Sequence, residues 1–157
     1  MLLHAEGEFR LNDERDTEGL GRSLARVLQK GEAFCLSGPL GAGKSVLARA
    51  MVRALCPDET EVPSPTFTLV QFYAAPDFPL AHFDLYRLGS ADEAYEIGLD
   101  EALREGAAII EWPERLGHHL PPDRLDVEIS LDSDDGGDAR RARLTPHGSW
   151  EERPLEA

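Results

Sequence analysis

The chain contains, at residues 38–45, the run Gly38-Pro39-Leu40-Gly41-Ala42-Gly43-Lys44-Ser45. This run satisfies the P-loop pattern GxxxxGK[ST], in which small residues let consecutive backbone N–H groups converge on a phosphate. A helix that begins near Gly43 adds the positive end of its dipole. We therefore expect Lys44 to reach the β- and γ-phosphates of a nucleotide and the Ser45 hydroxyl to bind Mg²⁺.

The residues that flank the P-loop have the periodicities that this motif requires. Residues 33–36 form a short apolar run typical of a buried strand. After the loop, apolar side chains recur with helical spacing at Val46, Leu47, Met51, Val52 and Leu55. A strand, a glycine-rich turn and an amphipathic helix are thus predicted in the order that phosphate binding needs.

The rest of the chain alternates predicted strands with predicted helices. The strands are expected at residues 8–11, 67–73, 80–86, 107–110, 125–131 and 140–144, and the helices at 17–28, 91–95 and 100–104. Asp16 or Thr17 is the predicted N-cap of the first helix. This order predicts an α/β fold, a three-layer sandwich of the P-loop NTPase type with a mostly parallel sheet and an antiparallel C-terminal hairpin.

The length of 157 residues is enough for one domain with a core of its own. We expect a single domain over residues 1–147 and a loose C-terminal tail over 148–157. Cys35 and Cys56 form no CxxC pair, and the sequence contains no apolar run typical of a signal peptide or a membrane span. These features predict a cytoplasmic protein that makes no use of a membrane.

The formal net charge of −14 limits the choice of partners. Non-specific affinity for nucleic acid comes mainly from Lys and Arg side chains that displace counterions from the phosphate backbone. We therefore expect that this acidic chain does not grip nucleic acid over a wide surface by itself.

A P-loop protein also needs a carboxylate near the magnesium ion, usually at the end of an apolar strand. Glu111 follows the apolar run 107–110, and Asp84 closes the mixed run 81–84. Glu111 has the better pattern of a strand followed by an acid, but the sequence leaves both residues open. His82 by itself is interpreted as a half-buried strand residue.

The motifs together resemble one family, the bacterial ATPases called TsaE or YjeE. The similarity covers roughly residues 17–144, and its motifs occur in the order and with the spacing of that family. Besides the P-loop, they are Ser64-Pro65-Thr66-Phe67-Thr68-Leu69-Val70, His82-Phe83-Asp84-Leu85-Tyr86-Arg87-Leu88 and Ile110-Glu111-Trp112-Pro113-Glu114. Two residues depart from the usual family pattern: Pro39 stands in place of Asp, and Ser45 in place of the more common Thr.

The resemblance implies ATP and Mg²⁺ as cofactors and a role for each matched position. The residues that would contact the ATP phosphates are Gly38, Gly41, Ala42, Gly43, Lys44, Ser45 and Val46. Those that would hold Mg²⁺ are Ser45, Glu111 and Asp84. With Lys44, Glu111 and Asp84, the catalytic set would include Thr66 as a switch residue near the γ-phosphate. Trp112, Glu14 and Arg140 would border the nucleotide.

The resemblance also implies an activity and partners. ATP hydrolysis would be weak for the chain alone and would be stimulated within a complex with the proteins TsaD and TsaB. TsaD with TsaB transfers a threonylcarbamoyl group to adenosine 37 of tRNA, and hydrolysis by this chain would reset that complex between turnovers. Contact with tRNA would be indirect, which agrees with the acidic charge.

Three other functions are compatible with parts of the sequence. A small-molecule kinase shares the P-loop, but it generally needs a mobile lid that carries arginines, and here only Arg140, Arg141 and Arg143 cluster. A GTPase generally needs an NKxD segment, and Asn12 is the only asparagine in the chain. A scaffold that binds nucleotide without hydrolysing it has the same motifs as a slow ATPase.

Overall fold

The computed structural model describes residues 2–58, 62, 69–132 and 139–156. Its strands are β1 (Leu2–His4), β2 (Gly7–Leu11), β3 (Ala33–Ser37), β4 (Val70–Ala74), β5 (Pro79–Asp84), β6 (Ala107–Glu111), β7 (Arg124–Leu131), β8 (Arg140–His147) and β9 (Pro154–Glu156). Its α-helices are α1 (Glu14–Ala25), α2 (Lys44–Leu55), α3 (Glu93–Glu96) and α4 (Leu99–Glu105), and 3-10 segments lie at Pro113–His119 and Gly148–Trp150. Within these residues, no helix has both the length and the apolar character needed to cross a bilayer.

The main sheet has the strand order β2-β8-β7-β3-β6-β5-β4. The four central strands β7, β3, β6 and β5 run parallel to one another, whereas β4 runs antiparallel to β5 at one edge and β8 runs antiparallel to both β7 and β2 at the other. The parallel centre and the antiparallel C-terminal hairpin confirm the predicted fold class.

Helices cover both faces of this sheet, so the fold has three layers. Leu24 of α1 and Met51 of α2 pack with Ile109 of β6 on one face. Leu99 of α4 packs with Ile110 on the other face. Because β6 is buried on both faces, its residues form a continuous apolar run rather than an alternating one.

Helix α1 begins three residues before its predicted start. The Asp13 carboxylate accepts a hydrogen bond of 3.1 Å from the backbone N–H of Asp16, so Asp13 is the N-cap. The prediction of Asp16 or Thr17 was wrong, because Thr17 is buried inside the helix instead. The helix packs closely on α2, since a Cβ at Gly21 would lie 3.0 Å from the Cβ of Ala50.

The expectation of a loose tail from residue 148 is also wrong for its described part. Trp150 is fully buried and its ring centroid lies 5.3 Å from that of Phe34 in β3. Strand β9 pairs with β1 in an antiparallel ladder, and Leu155 is buried in the same core. The apolar residues of this segment are separated by charged ones, so their common burial is not visible as a periodicity.

A buried ion pair fastens the C-terminal segment to the start of β3. The Arg153 guanidinium donates to both carboxylate oxygens of Glu32, over 2.5 and 2.6 Å. The Ser149 hydroxyl and the Gln29 backbone N–H donate to the same carboxylate over 2.5 and 2.9 Å. Glu32 is only 3% exposed, so its charge depends on these donors.

We predict that Arg153→Ala lowers the free energy of unfolding by about 3–5 kcal/mol, since it leaves the buried Glu32 carboxylate without its counter-ion. Urea unfolding followed by circular dichroism measures the change. Arg22→Ala is the matched control, because Arg22 is half-exposed and lies 4.0 Å from Glu18. Its effect should stay below about 1 kcal/mol. Equal losses in the two variants would contradict a stabilising role of the buried pair.

Candidate functional site

The P-loop connects β3 to α2, as predicted, and its glycines adopt backbone conformations that other residues rarely adopt. Gly38 has φ 135° and packs so closely on β7 that a Cβ would collide with the carbonyl oxygen of Ile129. Gly43 has φ 111° and immediately precedes the first helical residue, Lys44. The loop therefore closes tightly against the sheet and directs the N-terminus of α2 into the site.

Lys44 is folded back over the P-loop. Its ammonium group donates a hydrogen bond to the carbonyl oxygen of Gly38, and its Nζ lies 3.6 Å from the centroid of the Trp112 ring. Only 5% of the residue is exposed. Burial lowers the pKa of the Lys44 amine, and the carboxylates of Glu111, Glu114 and Asp84 act in the opposite direction.

The two acids left open by the sequence lie side by side. Asp84 ends β5 and Glu111 ends β6, and the two residues are register partners in the parallel ladder. Glu111 is also the register partner of Leu36 in β3, just before the P-loop. Both acids are buried, and the structure brings them to one cavity rather than selecting one.

This cavity, of about 380 Å³, lies between the P-loop and the ends of β5 and β6. Its lining residues are Leu40, Gly41, Gly43, Lys44, Ser45, Val46, Asp84, Tyr86, Arg87, Glu111 and Trp112. It thus joins most of the predicted phosphate-binding residues to the predicted metal-side acids and to Trp112.

Trp112 is held in place at the end of β6. It has the left-handed φ of 61°, and its backbone N–H donates to the carbonyl oxygen of Leu36 over 3.3 Å. Its ring packs against that of Tyr86, with 4.9 Å between the centroids. The aromatic pair forms one wall of the cavity, and Lys44 contacts that wall.

Glu14 and Arg140 line a second cavity of about 200 Å³ that shares Gly41, Gly43 and Val46 with the first. The Arg140 Nε donates a hydrogen bond of 3.0 Å to the carbonyl oxygen of Ala42. Arg140 of the C-terminal hairpin thus contacts the P-loop directly, and Glu14 of the first helix lines the cavity beside that loop.

Of Thr66 and Pro39, both discussed in the sequence analysis, the structure describes only Pro39. Thr66 and its motif up to residue 68 lie outside the described residues. Pro39 is exposed, and its carbonyl oxygen accepts from the Ala42 N–H over 3.2 Å, which closes a turn at the tip of the loop. The absence of an N–H at Pro39 is compatible with this turn, because the turn uses only its carbonyl group.

His82 is the site residue that the sequence reasoning missed. It is not half-buried but only 2% exposed, and its Nε2 lies 2.7 Å from Oε2 of Glu111. The signal was present in the strand period, because His82 and Asp84 are two residues apart on β5 and so share one face of the sheet. The sequence did not show that β6 is the neighbour of β5, so the contact of His82 with Glu111 could not be predicted from this period alone.

The comparison with known families agrees with this geometry. Residues 11–142 match the family described as "Threonylcarbamoyl adenosine biosynthesis protein TsaE". The chain belongs to the TsaE family. The match includes the P-loop, β5, β6 and the first residues of β8, so it spans the whole of the site described above.

Curated TsaE proteins are similar over most of their length. The protein named tRNA threonylcarbamoyladenosine biosynthesis protein TsaE from Rickettsia bellii is 40% identical over 125 residues, which are 80% of this chain and 87% of the relative. The protein of the same name from Bacillus subtilis is 32% identical over 129 residues, 82% of this chain and 80% of the relative.

A solved structure has the same fold. The crystal structure of Bacillus subtilis YdiB superposes with a TM-score of 0.72 at 27% sequence identity. The superposition covers 94% of this chain and 87% of the other. The arrangement of layers in this TsaE-family chain is therefore that of an experimentally solved protein.

We predict that the Lys44 amine has a pKa below the ordinary value of a lysine amine. Lys30 and Lys44 are the only lysines of the chain, and Lys30 is exposed. Burial penalises the charged form of Lys44, so its proton should dissociate at lower pH. Reductive ¹³C-methylation followed by an NMR pH titration measures this pKa. A pKa at the ordinary value of a lysine amine would contradict the burial of Lys44.

Proposed function

We propose that this TsaE-family chain is a Mg²⁺-dependent ATPase that takes part in forming threonylcarbamoyladenosine at position 37 of tRNA. The observation that carries the proposal is the convergence of Lys44, Ser45, Asp84 and Glu111 on one cavity beside the P-loop. Family membership supports the pathway, since the curated relatives are named for tRNA threonylcarbamoyladenosine biosynthesis.

The phosphates of ATP would occupy the P-loop side of the cavity. The backbone N–H groups at the start of α2 and the Lys44 ammonium group supply the positive charge that a polyphosphate requires. Lys44 would exchange its hydrogen bond with the Gly38 carbonyl for phosphate oxygens. The second cavity, with Glu14 and Arg140, lies next to the same loop and suits the nucleoside part of ATP.

The residues around the first cavity fit a magnesium ion. Mg²⁺ prefers oxygen ligands, and the Ser45 hydroxyl and the Asp84 and Glu111 carboxylates all line this cavity. No group of three or more His, Cys, Asp or Glu side chains among the described residues is arranged to hold a metal by itself. Phosphate oxygens and water would therefore complete the coordination, as is usual for Mg²⁺. When bound, the ion would neutralise charge that develops on the phosphates.

The protein side chains would then do two things. Lys44 and the N–H groups of the P-loop would stabilise the charge on the transferred phosphoryl group. Among the residues that the structure describes, Asp84 and Glu111 are the two carboxylates that line the cavity, and one of them would orient the attacking water and accept its proton. We assign the activation of the attacking water to Glu111. Asp84 would act as the second carboxylate beside the magnesium ion.

The partners in this proposal are the proteins TsaD and TsaB. The net charge of −14 does not favour direct binding of tRNA, whereas it is compatible with docking on a protein that handles tRNA. ATP hydrolysis by this chain would reset the complex between rounds of transfer. Hydrolysis should accordingly be slow for the chain alone and faster with its partners.

We predict that Lys44→Ala weakens ATP binding at least tenfold, because a charged hydrogen bond contributes about 1.5–3 kcal/mol. Isothermal titration calorimetry with and without Mg²⁺ measures the affinity. Lys30→Ala is the matched control, because it removes the other lysine, which is exposed. Unchanged affinity in Lys44→Ala would overturn the assignment of the P-loop as the nucleotide site.

We predict that the TsaB–TsaD pair raises ATP turnover by this chain and that Glu111→Ala removes at least about 100-fold of the stimulated rate. Nucleotide affinity measured in EDTA should remain largely intact, since Lys44 and the P-loop are unchanged. Glu105→Ala, at the exposed end of α4, is the control.

The outcomes of this turnover assay separate the alternatives. Stimulated turnover that survives in Glu111→Ala would indicate that Asp84, and not Glu111, activates the attacking water. No stimulation at any protein ratio would contradict the proposed partners, and a phosphorylated small-molecule acceptor in a substrate screen would then favour a kinase.

A further inference from the structure

His82 and Glu111 form a buried hydrogen bond between neighbouring strands. His82 Nε2 lies 2.7 Å from Glu111 Oε2, and the side chains are 2% and 3% exposed. His82 is the register partner of Ile109, so the bond runs diagonally from β5 to the residue two positions further along β6. This contact joins two strands that the sheet already pairs through their backbones, and it ends on an acid of the cavity.

The surroundings of the imidazole indicate which group donates. Among the described residues, His82 Nδ1 is buried without a hydrogen-bond partner. A doubly protonated ring would bury an N–H donor and a charge without a partner on that side, whereas a neutral ring leaves only an unpaired acceptor. The arrangement therefore fits a neutral imidazole whose Nε2–H donates to an ionised Glu111.

The bond also orients the carboxylate. His82 provides the only side-chain hydrogen bond of Glu111 among the described residues, and that bond uses Oε2. Glu111 also lines the cavity, so the other oxygen, Oε1, remains for groups inside it. A glutamate without this bond has three rotatable bonds and would lose its preferred direction.

We propose that His82 is a positioning residue, which holds Oε2 of Glu111 so that Oε1 faces the magnesium side of the cavity. This inference rests on the proposed function, since it takes Glu111 as the metal-side acid. His82 itself touches neither nucleotide nor ion in this assignment. A purely structural role does not explain a histidine here, because an apolar residue would fill this buried position without leaving a ring nitrogen unpaired.

The test measures how strongly Mg²⁺ enhances the binding of a non-hydrolysable ATP analogue. Calorimetric titrations in EDTA and in excess Mg²⁺ give two affinities, and their ratio is the magnesium-dependent gain. We compare the wild type with His82→Leu, which removes the donor, and His82→Gln, whose longer amide can still donate to Glu111. His82→Asn is the matched polar control, because its shorter amide lies farther from Glu111.

We expect all variants to bind the analogue in EDTA as the wild type does, since the P-loop is intact. The magnesium-dependent gain should fall about tenfold in His82→Leu and His82→Asn, in the range known for residues that orient metal ligands. His82→Gln should recover most of it. Adding His82→Leu to Glu111→Ala should cause no further loss, because the histidine acts only through that carboxylate.

Three results would overturn the inference. A gain that persists in His82→Leu and His82→Asn would mean that Glu111 needs no orientation. If His82→Gln, His82→Asn and His82→Leu lost equal parts of the magnesium-dependent gain and also bound the analogue more weakly in EDTA, His82 would have a structural role. If the wild type itself showed no magnesium-dependent gain, the magnesium site of the proposed function would fail as well, so the two failures are distinguishable.

Discussion

The parallel register of β3, β6 and β5 is the constraint on which the rest of the site depends. These strands run in the same direction, so their carboxyl ends meet at one edge of the sheet. Glu111 is the register partner of both Leu36 and Asp84, and the P-loop begins two residues after Leu36. A shift of one residue in either pairing would turn an acid to the opposite face of the sheet. The cavity therefore exists because three strands that lie apart in the sequence end at the same edge of the sheet.

Buried charge is used in two different ways in this molecule. Glu32 and Arg153 neutralise each other with several hydrogen bonds and join the C-terminal segment to the core. Lys44, Asp84 and Glu111 are also buried, and all three line the cavity beside the P-loop. In a medium of low dielectric constant, such charges act strongly on a ligand that enters. The difference separates a structural ion pair from a group of residues able to act on a substrate.

The parts that sequence reasoning predicted correctly have short-range causes. The glycines and Lys44 of the P-loop, the apolar run of β6 and the amphipathic helix α2 each follow from neighbouring residues in the chain. The N-cap of α1 was misplaced because Asp13 and Asp16 are both plausible caps, and only the backbone geometry distinguishes them. Trp150 and His82 were misjudged because their partners, Phe34 and Glu111, are distant in sequence.

By itself, the sequence determined the P-loop motif, the class of the fold and the two acids that each end a strand, because each depends on local residue type or strand period. The tertiary structure decided that these acids adjoin, that Lys44 rests on Trp112, and that His82 is hydrogen-bonded to Glu111. It also decided that the last residues close the core through Trp150 and Arg153. Contacts of this kind depend on which strands are neighbours, and strand order is a property of the whole packed chain.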